Sequence, residues 1–162
     1  MSGWEVSGIT RFQSGPYLTV VQSFAGLPGI GNRRADYLGV AIPVDNKTPQ
    51  RWFNTDAFAC APDTTGAPSS TACSATGTGG FRRGNTGVGA VSGPGIQNWD
   101  FTLRKQQALT EKIRLRFTAD FFNLFNHTNF RGLNVNRSNA DFGSVTQAAP
   151  ARSLQLGLKL EF

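Results

Sequence analysis

Strict alternation of apolar and polar residues marks four segments of this chain. The clearest is LQLGLKLEF, Leu154–Phe162, in which Leu or Phe occupies every even position and a polar residue or glycine every odd one. The same period of two runs through WEVSGITRF, NWDFTLRK and KIRLRFTADFF. Successive side chains of a strand point to opposite faces, so this period predicts four amphipathic β-strands. We place them at residues 3–12, 97–107, 112–122 and 152–162.

The connections between these predicted strands differ greatly in length. Only QALTE, at residues 107–111, is a short turn, whereas the loops at 14–96 and 123–150 are long and the first is rich in Gly and Pro. A structureless stretch of about 80 residues is rare in a compact soluble domain. Short turns at one end and long loops at the other are typical of transmembrane β-barrels.

Strand length and aromatic placement favour the same architecture. A strand of about 10 residues crosses a bilayer when it is tilted by about 45°, and aromatic residues lie near the ends of the predicted strands, where barrels carry aromatic girdles. The predicted fold class is all-β: the last four antiparallel strands of a transmembrane outer-membrane β-barrel, incomplete, with long extracellular loops. A soluble β-sandwich, whose strands also alternate, is the alternative.

This architecture assigns each strand face to lipid or to the barrel lumen. If the short turn is periplasmic, the C-terminus is periplasmic too, and both long loops lie outside the cell. The residues expected to face lipid on the last strand are Leu154, Leu156, Leu158, Leu160 and Phe162. The charged residues expected to face the lumen are Asp100, Arg104, Arg114, Arg116, Asp120, Lys159 and Glu161.

The central hairpin has two registers that keep its faces matched. The numbers of opposed residues sum to 216 in one register, which pairs Asp100 with Arg116, and to 218 in the other. Either register brings Asp100 and Asp120 near Arg114 and Arg116. Such charges could guide an anionic solute, but cross-strand pairing that fixes the register is the favoured interpretation.

The two cysteines favour a local disulfide. Cys60 and Cys73 enclose small, polar, turn-forming residues. A bond between them would contribute about 3 kcal/mol in the chain-entropy model and would indicate an oxidising compartment. Two unpaired thiols are the alternative, and two cysteines are too few for the usual tetrahedral zinc site.

Charge and targeting features exclude several other classes of protein. The net charge is +6, but the basic residues are scattered, so no nucleic-acid partner is predicted. No run of 18 apolar residues is available for a membrane-spanning helix. The first residues, MSGWEVSGIT, lack the basic start and apolar stretch of a secretion signal.

No motif indicates catalysis. GNTGVGAVSG is glycine-rich but lacks the Lys-Ser/Thr ending of a phosphate-binding loop, so loop flexibility is the favoured interpretation. His127, a lone histidine in an Asn-rich turn, is interpreted as a hydrogen-bonding loop residue rather than a metal ligand. No Ser-His-Asp arrangement is readable. We expect no enzymatic activity, no cofactor and no metal.

Several motifs together resemble one family. GPGIQNWDFTLRKQQALTEKIRLRFTADFFNLFNHTNF contains a Gly-Pro-Gly entry, an Asn-x-Asp strand, a lysine-containing turn and a Phe-Asn-x-Phe-Asn-His ending. This run is similar to the C-terminal part of TonB-dependent outer-membrane receptors, specifically the Oar-like β-barrel group. RWFNTDAF, QSGPYLTV and FGSVTQAAPARSLQLGLKLEF resemble further parts of that group, so the resemblance covers nearly the whole chain.

The resemblance implies a receptor with a carboxypeptidase-regulatory-like domain, a plug and a barrel of about 22 strands. TonB acts on such receptors through the plug. Four strands cannot close a barrel, because the smallest have about 8, so we expect this chain to be a fragment whose partners include the rest of the barrel and the plug. The expected surroundings are outer-membrane lipid and lipopolysaccharide. A terminal aromatic such as Phe162 is, by resemblance, the signal read by the outer-membrane insertion machinery.

Three functions follow as hypotheses. The first is uptake of a large solute, such as a siderophore or a glycan, by a TonB-dependent receptor of the outer membrane. The second is a structural or adhesive role in which the barrel displays its surface loops. The third is a soluble β-domain that binds polyanions.

Overall fold

The computed structural model describes residues 3–23, 32–61, 73 and 83–162. Contacts divide the chain into two compact units, one formed by Met1–Ser14, Gly95–Asn129 and Ala148–Phe162, the other by Gly15–Pro94 and Phe130–Gln147. The strands of the described residues are β1 (Trp4–Gln13), β2 (Tyr17–Leu18), β3 (Val21–Ser23), β4 (Asn32–Arg34), β5 (Asp36–Tyr37), β6 (Phe58–Ala59), β7 (Val91–Ser92), β8 (Ile96–Ala108), β9 (Arg114–Phe122), β10 (Phe130–Leu133), β11 (Val145–Ala148) and β12 (Ser153–Glu161). A single turn of 3-10 helix, Thr55–Ala57, precedes β6.

The first unit is a four-stranded antiparallel sheet in the order β1-β8-β9-β12. These strands are the four predicted from the alternation, and their bounds differ from the predicted ones by two residues or fewer. Hydrogen bonds join the backbones of neighbouring strands, while side chains alternate between the two faces. The described residues form an all-β structure without an α-helix.

The β8–β9 hairpin has a register that differs from both expected ones. Phe101 lies opposite Phe121 and Gln106 opposite Arg116, so the numbers of opposed residues sum to 222. The predictions of 216 and 218 were therefore wrong. The difference from 218 is an even number of positions, which leaves every side chain on its predicted face.

The turn explains this register. The backbone N–H of Leu109 donates to the carbonyl of Ile113 at 2.9 Å, so pairing continues beyond the predicted turn start. The Thr110 hydroxyl accepts from the backbone N–H groups of Lys112 and Ile113 at 3.3 and 3.0 Å. A threonine side chain that bonds nearby backbone in this way stabilises a tight turn. The turn thus lies at residues 110–112, not across QALTE.

The sequence predicted that residues 14–96 and 123–150 are only loops of one domain. Most of these residues instead belong to the second compact unit. Its short strands pair as β2-β7, β3-β4, β5-β6 and β10-β11, and it has a hydrophobic core of its own. The buried members of that core are Val20, Ala35, Phe53, Ala57, Phe58, Val91, Leu133 and Phe142. Strands of two to four residues are too short to show a period, so the alternation could not reveal them.

Aromatic contacts form the centre of that core. Phe53, Phe58 and Phe142 meet edge to face, with ring centroids 5.2 to 6.2 Å apart. Such contacts stabilise by about 0.5–1.5 kcal/mol per pair beyond the burial of their area. Phe142 is far from Phe53 and Phe58 in the chain, so these contacts tie the 3-10 helix region to the segment before β11.

Buried polar groups hold the chain next to the disulfide. The Gln22 side chain, fully buried, accepts from the Ala61 N–H at 2.6 Å and donates to the Ala61 carbonyl at 3.2 Å. Arg33 Nη2 donates to the same carbonyl at 2.8 Å. Cys60, the preceding residue, is bonded to Cys73 with their Cα atoms 5.1 Å apart. The pairing proposed from the sequence is therefore present in the structure.

Replacing Gln22 by leucine tests this buried contact. Gln22→Leu removes both hydrogen bonds and leaves the Ala61 N–H unsatisfied, which costs about 1–3 kcal/mol, while the Ala61 carbonyl keeps its bond from Arg33. We expect faster amide hydrogen exchange at residues 20–23 and 59–61. Gln50→Leu, at an exposed position, is the control. Equal exchange rates in the two variants would show that the Gln22 contact does not stabilise the second unit.

Candidate functional site

One face of the four-stranded sheet is apolar and exposed. On β12 the four leucines of the alternation, Leu154, Leu156, Leu158 and Leu160, are 51% to 71% exposed. They lie opposite Phe121, Ala119, Phe117 and Leu115 of β9. On β1, Val6 and Phe12 belong to the same face and are exposed by 60% and 62%. A contiguous apolar surface of this kind marks contact with a membrane or another protein.

Aromatic side chains border this face at both ends. Near the β8–β9 turn, Trp4 lies opposite Lys105, whose ammonium is 5.2 Å from the centre of the indole ring. At the other end, Phe12 and Trp99 meet edge to face at 5.4 Å, and Trp99 also contacts Phe125 at 5.5 Å. A ring beside a lysine is suited to the boundary between hydrocarbon and water, because each side chain has an apolar body and a polar tip.

The opposite face carries the charged residues singled out from the sequence. The register puts all of them on one face, together with Glu5 and Arg11. These singled-out residues are Asp100, Arg104, Arg114, Arg116, Asp120, Lys159 and Glu161. The face is not uniformly polar, since Ile9 lies on it opposite Asp100 and is 72% exposed.

Ion pairs on the charged face cluster toward the β8–β9 turn. Arg104 contacts Glu5 at 3.2 Å, and Glu161 contacts both Arg116 at 3.1 Å and Lys159 at 3.2 Å. All five side chains are at least partly exposed, so each pair adds little to stability. Glu5, Arg104, Gln106 and Arg116 also line a cavity of about 410 Å³ at this end.

The two aspartates lie elsewhere, and their hydrogen bonds go to polar neighbours. Asp120 accepts from the Thr102 hydroxyl at 2.6 Å, and Asp100 accepts from the Asn98 amide at 2.8 Å and the Asn123 N–H at 3.0 Å. The expectation that Asp100 and Asp120 lie beside Arg114 and Arg116 was wrong, because it followed from the incorrect register. Asp100 and Asp120 instead lie toward the ends of β8 and β9 that are far from Arg114 and Arg116.

A turn rich in asparagine fixes the far ends of the strands, and sequence reasoning missed this role. Asn123 and Asn126 have positive φ angles of 54° and 52°, a conformation that asparagine tolerates better than most residues. The Asn123 side chain bonds both the N–H and the carbonyl of His127 at 3.0 Å. His127 is thus a loop residue held through its backbone, in agreement with its interpretation.

The same turn binds two strands through side-chain amides. Asn129, almost fully buried, accepts from the Gln97 N–H at 2.7 Å and donates to its carbonyl at 2.9 Å. Asn126 Oδ1 accepts from the Arg152 N–H at 2.9 Å, just before β12. The spacing of three residues between Asn123, Asn126 and Asn129 is the signal that could have identified this asparagine rim.

Asn129→Asp tests the rim. The change keeps the acceptor but removes the donor to the Gln97 carbonyl and buries a charge, which costs about 1–3 kcal/mol. We expect hydrogen exchange at residues 96–99 to accelerate accordingly. Asn126→Asp is a matched control, because the Asn126 contact with Arg152 uses only its acceptor oxygen. Similar exchange in both variants would contradict the role assigned to the Asn129 amide.

Within the part of the chain that the structure describes, no cluster of three or more His, Cys, Asp or Glu side chains could hold a metal ion. The described residues also contain no helix long and apolar enough to cross a membrane.

Comparison with known proteins agrees with this geometry. A family model described as an outer membrane beta barrel domain matches residues 1–155. No curated protein and no solved structure matches the chain. The match covers nearly the whole chain and confirms the predicted all-β barrel fold class. The chain belongs to the outer-membrane β-barrel domain family, and its location is the outer membrane.

Proposed function

We propose that this chain is part of the barrel of a TonB-dependent receptor of the Oar-like group, which takes up a large solute of the siderophore or glycan class. The observation that carries the proposal is a membrane-type sheet whose other face bears cations and carboxylates along its length. Sequence motifs that resemble the Oar-like group support the assignment to that group. The proposed transport role is not enzymatic and needs no cofactor.

The cost of burying charge in lipid decides which face of the four-stranded sheet meets lipid and which lines the lumen. A lysine or arginine facing lipid at the bilayer midplane costs about 2–4 kcal/mol, so the charged face would line the lumen and the leucines of β12 would face lipid. With the Thr110 turn in the periplasm, the C-terminus lies there too. The segments that follow β1 and β9 then emerge outside the cell.

The edges of the sheet indicate further strands. In the described part of the chain, β1 and β12 each pair on one side only. Unpaired backbone groups are costly in hydrocarbon, and four strands are too few to close a barrel. We therefore propose that the rest of a barrel and a plug complete the receptor, and that TonB acts through the plug.

Other partners follow from the same proposal. Outer-membrane lipid and lipopolysaccharide would surround the apolar face. The outer-membrane insertion machinery would read β12 together with Phe162, whose side chain is 97% exposed. Nucleic acid has no place among these partners, because the cations of the sheet are interspersed with carboxylates.

Display of surface structure is a second candidate. The second unit has a core and a disulfide of its own, as an adhesive module would. A soluble β-domain that binds polyanions is no longer a candidate, because the chain belongs to an outer-membrane family.

The lipid face is tested with a pair of neighbouring substitutions. Leu156→Arg would place a charge in hydrocarbon and lower the free energy of unfolding in lipid vesicles by about 2–4 kcal/mol. Gln155→Arg, at the adjacent but opposite-facing position, is the control and should change stability little. The measurement is denaturant unfolding of the full-length protein in vesicles. A larger loss for Gln155→Arg would reverse the assignment of the faces.

Uptake is tested in cells that make the full-length receptor. Accumulation of a labelled siderophore or glycan should depend on the receptor gene and fall to background when TonB is removed. Adhesion predicts the opposite: surface attachment that persists without TonB and no accumulation of solute. That second result would reject transport and favour display.

A further inference from the structure

The second unit contains an apolar cavity of about 440 Å³ with aromatic walls. Tyr17, Tyr37 and Trp52 form its walls, and the buried Phe53 and Val91 lie at its base. Its volume falls within the range of about 300–1,000 Å³ that is typical of small-molecule sites. Tyr17 is 79% exposed, so it presents a large aromatic surface to solvent.

Hydrogen bonds hold the Trp52 ring and the backbone of Tyr17 and Tyr37 in place. Trp52 Nε1 donates to the Ser92 carbonyl at 3.2 Å, and Ser92 pairs with Tyr17 across β2 and β7. The Tyr37 N–H donates to the Asn85 side chain at 2.6 Å, and the Asn85 amide donates back to the Tyr37 carbonyl at 3.3 Å. The Trp52 ring and the backbone that carries Tyr17 and Tyr37 are therefore in place before any ligand arrives, which lowers the entropy lost on binding.

One charged residue lies on the cavity lining. Lys47 is exposed, and its ammonium is 5.4 Å from the centre of the Trp52 ring. Among the described residues that line the cavity there is no carboxylate to neutralise it. A site with one cation and mainly apolar walls complements a ligand that has an anionic group on a flat apolar body.

We propose that this cavity binds an aromatic ring that carries a carboxylate. The carboxylate pairs with Lys47 beside Trp52, and the ring stacks among Tyr17, Tyr37 and Trp52. Aromatic pairs of this kind favour binding beyond what area burial alone supplies. A neutral sugar fits less well, because most of its hydroxyl groups would lose water against apolar walls that offer few partners.

This inference rests on the proposed function and deepens it, since it identifies the chemical group by which a solute would be captured before uptake. Binding can nevertheless be measured without transport. If the cavity binds the ring but uptake does not depend on TonB, the receptor proposal fails alone. If uptake depends on TonB but the ring does not bind, only the cavity proposal fails.

The experiment measures binding of 2-naphthoate to the full-length protein in detergent micelles by saturation-transfer NMR and calorimetry. The neutral ring 2-naphthylmethanol and the non-aromatic anion cyclohexanecarboxylate are compared with it. We expect 2-naphthoate to bind tightest. Lys47→Gln should weaken its binding about threefold to fivefold, as loss of one ion pair at an exposed lysine implies, while leaving 2-naphthylmethanol nearly unchanged.

Three further variants complete the test. Lys47→Arg should retain binding, because it keeps the charge, and Trp52→Leu should weaken both aromatic probes. Lys112→Gln, in the β8–β9 turn, removes a charge from the other unit and should have no effect. Absence of 2-naphthoate binding, equal loss in Lys47→Gln and Lys112→Gln, or preference for 2-naphthylmethanol would each overturn the proposal.

Discussion

The alternation of side chains across paired strands is the constraint on which the sheet depends. Backbone hydrogen bonds fix β1, β8, β9 and β12 side by side, and the pleat then sends neighbouring residues to opposite faces. Because every register in the sheet keeps the faces matched, four separate sequences contribute to one apolar surface and one charged surface. The boundary residues Trp4 and Lys105 take their positions from the same pairing.

This constraint explains which parts of the fold and of the candidate site could be predicted. A period of two is visible in the sequence, so the strands, their faces and the charged residues on one face were predictable from the residues alone. The hairpin register was not, because several values preserve the faces and the pattern alone does not distinguish them. The Thr110 hydroxyl settles the register through two local hydrogen bonds, a contact that periodicity does not report.

The second unit depends on long-range contacts that local patterns do not encode. Gln22 reaches Ala61 across 39 positions, and Phe53 meets Phe142 in the core. Its strands are short and glycine interrupts its sequence, so its composition is typical of a loop. The aromatic cavity was missed for the same reason: Tyr17, Tyr37 and Trp52 are brought together only by the pairing of distant short strands.

The even offset of the hairpin register also bears on how such a chain can change length. Inserting one residue within β8 or β9 inverts every side chain beyond it, unless a β-bulge absorbs the extra residue. Inserting two residues slides the strand and preserves the faces. Among related proteins, the lengths of these strands should therefore differ by even numbers of residues. Insertions of an odd number of residues should be confined to the Thr110 turn and to the segments that form the second unit.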